Sequence, residues 1–159
     1  MTFESIYHGT EESIARHLLM GNMDFALGGG EFGRGFYMGR SLRLARRRAF
    51  HKSNHHQGTA REAMALCGNV LRVQLDPLLF RSVYQVRPLT LDQAKALYAR
   101  LKKSGRCGQY CDGHDALLGP IVGRPQYNTA MQYKFQGERL QNDLNWGGGY
   151  VGTFLKAVV

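Results

Sequence analysis

The chain has 159 residues, 43% of them hydrophobic and 21% charged, enough for one domain (1–159) that folds without disulfides or metal. No apolar run reaches the roughly 18 residues of a membrane span, MTFESIYHGT lacks the basic start and apolar core of a signal peptide, and three cysteines are too few for a disulfide framework. A net charge of +9 favours an anionic partner (RNA, DNA, a phosphorylated cofactor or an acidic protein), and the cysteine usage favours a reducing compartment.

In chain order, FESIY (3–7) reads as a short strand and EESIARHLLM (11–20) as a helix. That helix sets Ile14, Leu18 and Leu19 on one side and stops at Gly21. GGGEFGRGFYMG (28–39) follows, with six glycines around two Phe and one Tyr. Glycine this dense excludes a packed helix and lets backbone approach a partner closely. GFYM reads as a strand at its end. Ser41 caps a helix running to about Phe50, with Leu42, Ala45 and Ala49 inward and Arg43, Arg46 and Arg47 outward. HKSNHHQGT (51–59) is a polar loop. VLRVQL (70–75) alternates, with Leu71, Val73 and Leu75 inward, and 79–86 reads as a further strand. TLDQ (90–93) is a capping box opening a helix to about Lys103, which Gly105 ends. DALLG, AMQYKFQ and YVGTFLKAVV are strand candidates. Short strands among few helices predict an α+β fold rather than a regular parallel βαβ array.

Several clusters read as ordinary. His51, His55 and His56 lack spaced carboxylates or cysteines, and Cys107, Cys111 and His114 lack a fourth ligand at zinc spacing, so no metal site is expected. Arg46-Arg47-Arg48 reads as an exposed helix face, or as an extended nucleic-acid track. Tyr98 and Leu101 read as core.

Four pieces stand out by their order: Tyr7-His8-Gly9-Thr10, the glycine-rich loop ending in Gly35-Phe36-Tyr37, the helix behind Ser41, and Gln132 to Glu138. This order resembles the diphtheria-toxin-like and PARP-like branch of the ADP-ribosyltransferases. Members carry an early-strand His followed by Gly and Ser or Thr, a Tyr within G-x-G-F-Y ahead of a helix, and a late Glu or substitute. Residues 110–140, with Asp115-x-x-x-Gly119-Pro120-Ile121 and Gln132-x-x-Phe135, look like a bacterial subgroup. The resemblance covers roughly residues 5 to 144 and implies a compact split-sheet fold with a few flanking helices. It further implies an enzyme that consumes NAD and transfers ADP-ribose to a macromolecule. A toxin or effector acting in a cytoplasm, its own or a target cell's, is the usual setting.

The chemistry fits those residue types. Expelling nicotinamide leaves a ribosyl cation resembling an oxocarbenium ion, which a carboxylate and hydrogen bonds to the sugar stabilise. In this reading His8 holds a ribose hydroxyl, Gly9 and Thr10 line the dinucleotide, and Tyr37 stacks on nicotinamide with Phe36 or Tyr7 walling the pocket. Arg34 or Arg40, or the helix N-terminus at Ser41, faces the pyrophosphate. After Asp115 only Glu138 and Asp143 remain as carboxylates, and Glu138 lies just past the AMQYKFQ strand. Gln136, two residues earlier, contacts the acceptor in a related branch. An alternative register makes Gln136 or Gln132 the third-motif residue. Water as acceptor gives an NAD glycohydrolase. A tRNA phosphotransferase-like site would need an Arg- and His-centred pattern that is not seen. A nonenzymatic basic nucleic-acid-binding module would leave the YHGT and GFY pair unexplained.

Overall fold

A computed structural model of the chain describes residues 2–52, 67–146 and 154–159. The strands are β1 (Glu4–Gly9), β2 (Gly29–Gly30), β3 (Gly33–Arg34), β4 (Phe36–Gly39), β5 (Val70–Leu75), β6 (Val86–Pro88), β7 (Ala116–Pro120), β8 (Met131–Phe135) and β9 (Leu155–Val158). The described helices are α1 (Glu12–Leu19), α2 (Leu42–Lys52), α3 (Pro77–Val83), α4 (Leu91–Ser104) and α5 (Glu138–Trp146). The class is α+β, as the sequence predicts. No helix among the described residues is long and apolar enough to cross a membrane.

The chain divides into two compact units, one of Met1–Met23, Gly39–Phe80 and Asp143–Val159, the other of Asp24–Met38 and Arg81–Asn142. In the first unit β1 pairs antiparallel with β5 from Glu4↔Leu75 to Gly9↔Val70, and with the end of β4 at Tyr7↔Gly39. β5 pairs antiparallel with β9. The alternation in VLRVQL is realised: Leu71, Val73 and Leu75 are fully buried, while Arg72 and Gln74 are half-buried on the other face. That other face is not solvent throughout, because Val70 packs with Ala45 and Ala49 of α2.

Two helix faces differ from expectation. In α1 the buried residues are Ala15 and, as expected, Leu18, while Ile14 is 44% exposed. In α2 Arg46 and Arg47, both expected outward, are half-buried, Arg46 between Leu42 one turn before it and Phe50 one turn after it. His51 and Lys52 extend α2, whereas the rest of the expected 51–59 loop, with His55 and His56, lies outside the described residues.

In the second unit β6 runs parallel to β7, β7 antiparallel to β8, and β4 lies beyond β8. The strand expected over 79–86 is instead the helix α3 followed by β6. Asp76 accepts from the N–H groups of Leu78 (3.0 Å) and Leu79 (3.3 Å), and Pro77 supplies a preset first-turn φ, so a helix starts where apolar content alone reads as strand. α4 carries the expected reciprocal cap of Thr90 and Gln93 and ends at Gly105, whose φ of 71° needs a glycine. Its buried side meets Phe32, Leu89 and Leu117. The three cysteines are free thiols.

Candidate functional site

The first unit holds His8, Gly9, Thr10 and Ser41. His8 is half-buried on β1, paired in register with Leu71. Gly9 lies under α2: a Cβ there would collide with the Ala45 carbonyl and stand 3.0 Å from the Ala49 nitrogen. The missing side chain therefore lets helix and strand approach. Thr10 is buried, and its N–H donates to the Asn69 carbonyl at 2.9 Å. Ser41 caps α2, its Oγ accepting from the Leu44 N–H at 3.2 Å. Arg40 is ion-paired with Glu4.

The second unit holds Arg34, Phe36, Tyr37, Gln136 and Glu138. Alternation along β4 separates neighbours. Phe36 is buried and stacks on Phe25, ring centroids 5.9 Å apart, so it belongs to the core. Tyr37 points the other way, half-buried beside the Phe32 cluster, with the Gly30 backbone against its ring. Its hydroxyl accepts from the Phe32 N–H at 3.0 Å and donates to the Gly33 carbonyl at 2.5 Å. Burial pushes the phenol well above its ordinary range. Tyr37 thus anchors the glycine-rich segment that precedes it.

That segment is fastened elsewhere too. Glu31, which sequence reasoning passed over, accepts from the N–H groups of Val122 (2.9 Å) and Gly123 (2.7 Å) and from the Gln132 amide (3.2 Å). The Arg34 N–H donates to the Tyr110 carbonyl at 3.1 Å, while the Arg34 side chain is exposed.

Lys134 was also passed over. It is fully buried on β8, opposite Leu117, and its Nζ donates to the same Tyr110 carbonyl at 3.0 Å. The ammonium lies 5.3 Å from the Tyr110 ring centre, a cation–π distance. Burial pushes its pKa down to about 8. Gly35 packs against its stem, where a Cβ would come within 2.8 Å of Cε.

Gln136 is fixed by its amide nitrogen, which donates to the Asp112 carboxylate, to the Asp112 carbonyl (3.2 Å) and to the His114 carbonyl (2.8 Å). Asp112 also pairs with Arg87 at 3.1 Å and lies 3.3 Å from His114 Nδ1. Burial pushes the Asp112 carboxyl up, but donors from His114, Arg87 and Gln136 outweigh it and hold the group below the usual carboxylate range. Glu138 opens α5 with an exposed side chain, a position that favours negative charge on helix-dipole grounds.

Within the second unit, then, Arg34, Lys134 and Gln136 are tied together through residues 110–114, Tyr37 is fastened to Phe32 and Gly33, and Glu138 follows Gln136 by two. The Cys107, Cys111 and His114 group carries no metal-ligand arrangement among the described residues. Two signals pointed to the missed residues: Glu31 is the lone acid in the glycine-rich run, and Lys134 stands in strand register between Gln132 and Gln136. No family model, no curated protein and no solved structure matches this chain.

Proposed function

We propose that the chain is an NAD-dependent mono-ADP-ribosyltransferase with a split-sheet fold of the ADP-ribosyltransferase kind. The observation that carries this reading is the pairing of β1, which bears His8 and leads into Thr10, with the strand that ends GFYMG, in register at Tyr7↔Gly39. The capped helix α2 follows that strand directly, in the order the resemblance requires.

The C1′–nitrogen bond of NAD breaks, nicotinamide leaves with the bonding electrons, and a nucleophile on the acceptor attacks the ribosyl cation and gives up its proton. The roles the resemblance implies are, in the first unit, His8 to a ribose hydroxyl, and in the second, Tyr37 to nicotinamide, Arg34 to the pyrophosphate and Glu138 to the cation. Three hydrogen bonds commit the Gln136 amide to Asp112 and His114, which favours Glu138 over Gln136 as the third residue and makes Gln136 a positioning residue rather than an acceptor contact. The acceptor is an anionic macromolecule, and a toxin or effector role is consistent with that chemistry.

The test is nicotinamide release from NAD, with and without added RNA or total cell protein. Release is expected, lost in Glu138→Ala and strongly reduced in Tyr37→Ala. Release without any macromolecule identifies a glycohydrolase. Absence of NAD binding at millimolar concentration defeats the proposal.

A further inference from the structure

Helix α2 carries Arg43, Arg46, Arg47, Arg48 and Lys52 and no carboxylate. Arg43, Arg48 and Lys52 are exposed, and Arg47, though half-buried, has no buried nitrogen without a partner. Arg46 differs. It lies on the row of α2 that faces the sheet, beside Ala45, with Phe50 buried one turn on. Its Nε is buried and has no hydrogen-bond partner among the described residues.

The sheet offers a counterpart. Arg72 sits on β5, between Tyr7 of β1 and Ala157 of β9 in register. It shares a face with Val70, two residues earlier, and Val70 packs on Ala45 and Ala49. Arg72 is therefore on the α2 side of the first unit, and its Nε too is buried and unpartnered among the described residues. The neighbours of Arg72 on that face, Gln74 and Ser5, are polar and joined at 3.4 Å. No acidic side chain lies on α2, β5 or β9, Glu4 of β1 is taken by Arg40, and the carboxylate of Val159, which packs beside Val70, partners neither Nε. A buried guanidinium nitrogen left without an acceptor calls for one, and two on facing elements call for an anion with several oxygens. Phosphate matches the guanidinium fork.

We propose that Arg46 and Arg72 form a phosphate-binding site on the α2 side of the first unit, taking the phosphodiester of a polynucleotide or the phosphate of a free nucleotide. The site uses none of the residues assigned to NAD cleavage and stands or falls separately from that activity.

The test is fluorescence polarisation of a labelled single-stranded RNA, with inorganic pyrophosphate as competitor. Arg46→Gln with Arg72→Gln is expected to weaken RNA binding about tenfold or more. The same number of charges removed by Arg43→Gln with Arg48→Gln is expected to cost much less, because exposed cations contribute only the general electrostatic attraction. Competition by pyrophosphate at concentrations far above those of RNA marks a polynucleotide site, and competition at equal concentrations marks a nucleotide site. Equal losses in the two double variants, or no loss in the first, overturn the proposal. Arg46→Lys with Arg72→Lys keeps the charge and guards against misfolding; binding as tight as wild type in that variant also overturns it. Nicotinamide release, measured on the same variants, is expected to be unchanged.

Discussion

Replacing Tyr37 with Phe keeps the ring and removes one oxygen. In the folded protein that oxygen serves two partners, the Phe32 N–H and the Gly33 carbonyl. Phe32 is fully buried, so water does not take over the orphaned donor. A buried unsatisfied donor costs about 1–3 kcal/mol, and the Gly33 carbonyl loses its donor as well, so a loss of about 2 kcal/mol is expected. For a chain of this size that lowers the melting temperature by about 4–8 °C. Differential scanning calorimetry measures the shift, and amide exchange reports whether Phe32 loses protection. The same substitution has an alkaline signature. Burial raises the Tyr37 phenol above its ordinary 10.0 in the folded state, so the unfolded chain ionises first. The Tyr37 contribution therefore declines progressively as pH rises above about 10, and the Phe variant should show a flatter stability profile there. Comparing Phe with Ala separates the ring from the hydroxyl in nicotinamide release. A melting shift below about 1 °C, with the Phe32 amide still protected, would refute the anchoring role.

Two further substitutions probe the same framework. Gly9→Ala should cost about 1–3 kcal/mol, because the added methyl meets the Ala45 carbonyl and α2 must shift; Gly108→Ala, where nothing lies within 4 Å, is the control, and an equal melting shift in both would contradict the packing account. Lys134 is the pH probe. Its folded pKa of about 8 lies below the ordinary 10.5, so between those values the unfolded chain holds the extra proton and stability rises with pH, by about 1–3 kcal/mol. Lys134→Met should remove that rise, and an unchanged urea-midpoint profile between pH 8 and 10.5 would count against the buried ammonium.

Local grammar accounts for much of the fold. The Thr90–Gln93 capping box, the Ser41 cap, the Gly105 stop and the alternation of Leu71, Val73 and Leu75 are all decided within a few residues, and each is found as read. The failures come where a local cue competes with another or where tertiary packing decides. At 77–83 an Asp-Pro start outweighs apolar content. In α1 Leu18 is buried and Leu19 half-buried as expected, but Ala15 rather than Ile14 completes the buried side, and helical period alone does not say where that side is centred.

The site residues follow the same logic. In MQYKFQ, period two correctly places Tyr133 and Phe135 on one face and Gln132, Lys134 and Gln136 on the other. A half-buried strand would leave the second face to water, and the sequence invites that reading because its residues are polar. The structure covers that face instead. The Tyr110 carbonyl takes Lys134, the Asp112 and His114 segment takes Gln136, and Glu31 takes Gln132. Each of these acceptors comes from a segment 20 or more residues away in the chain, so no window around β8 contains the reason for its polar residues. The glycine-rich loop and the 110–114 segment bring hydrogen-bonding groups to a sheet face, where half-buried Gln132 and Gln136 and buried Lys134 meet them. Tyr37, read from its motif as a ligand contact, fastens the same loop separately, through the Phe32 N–H and the Gly33 carbonyl.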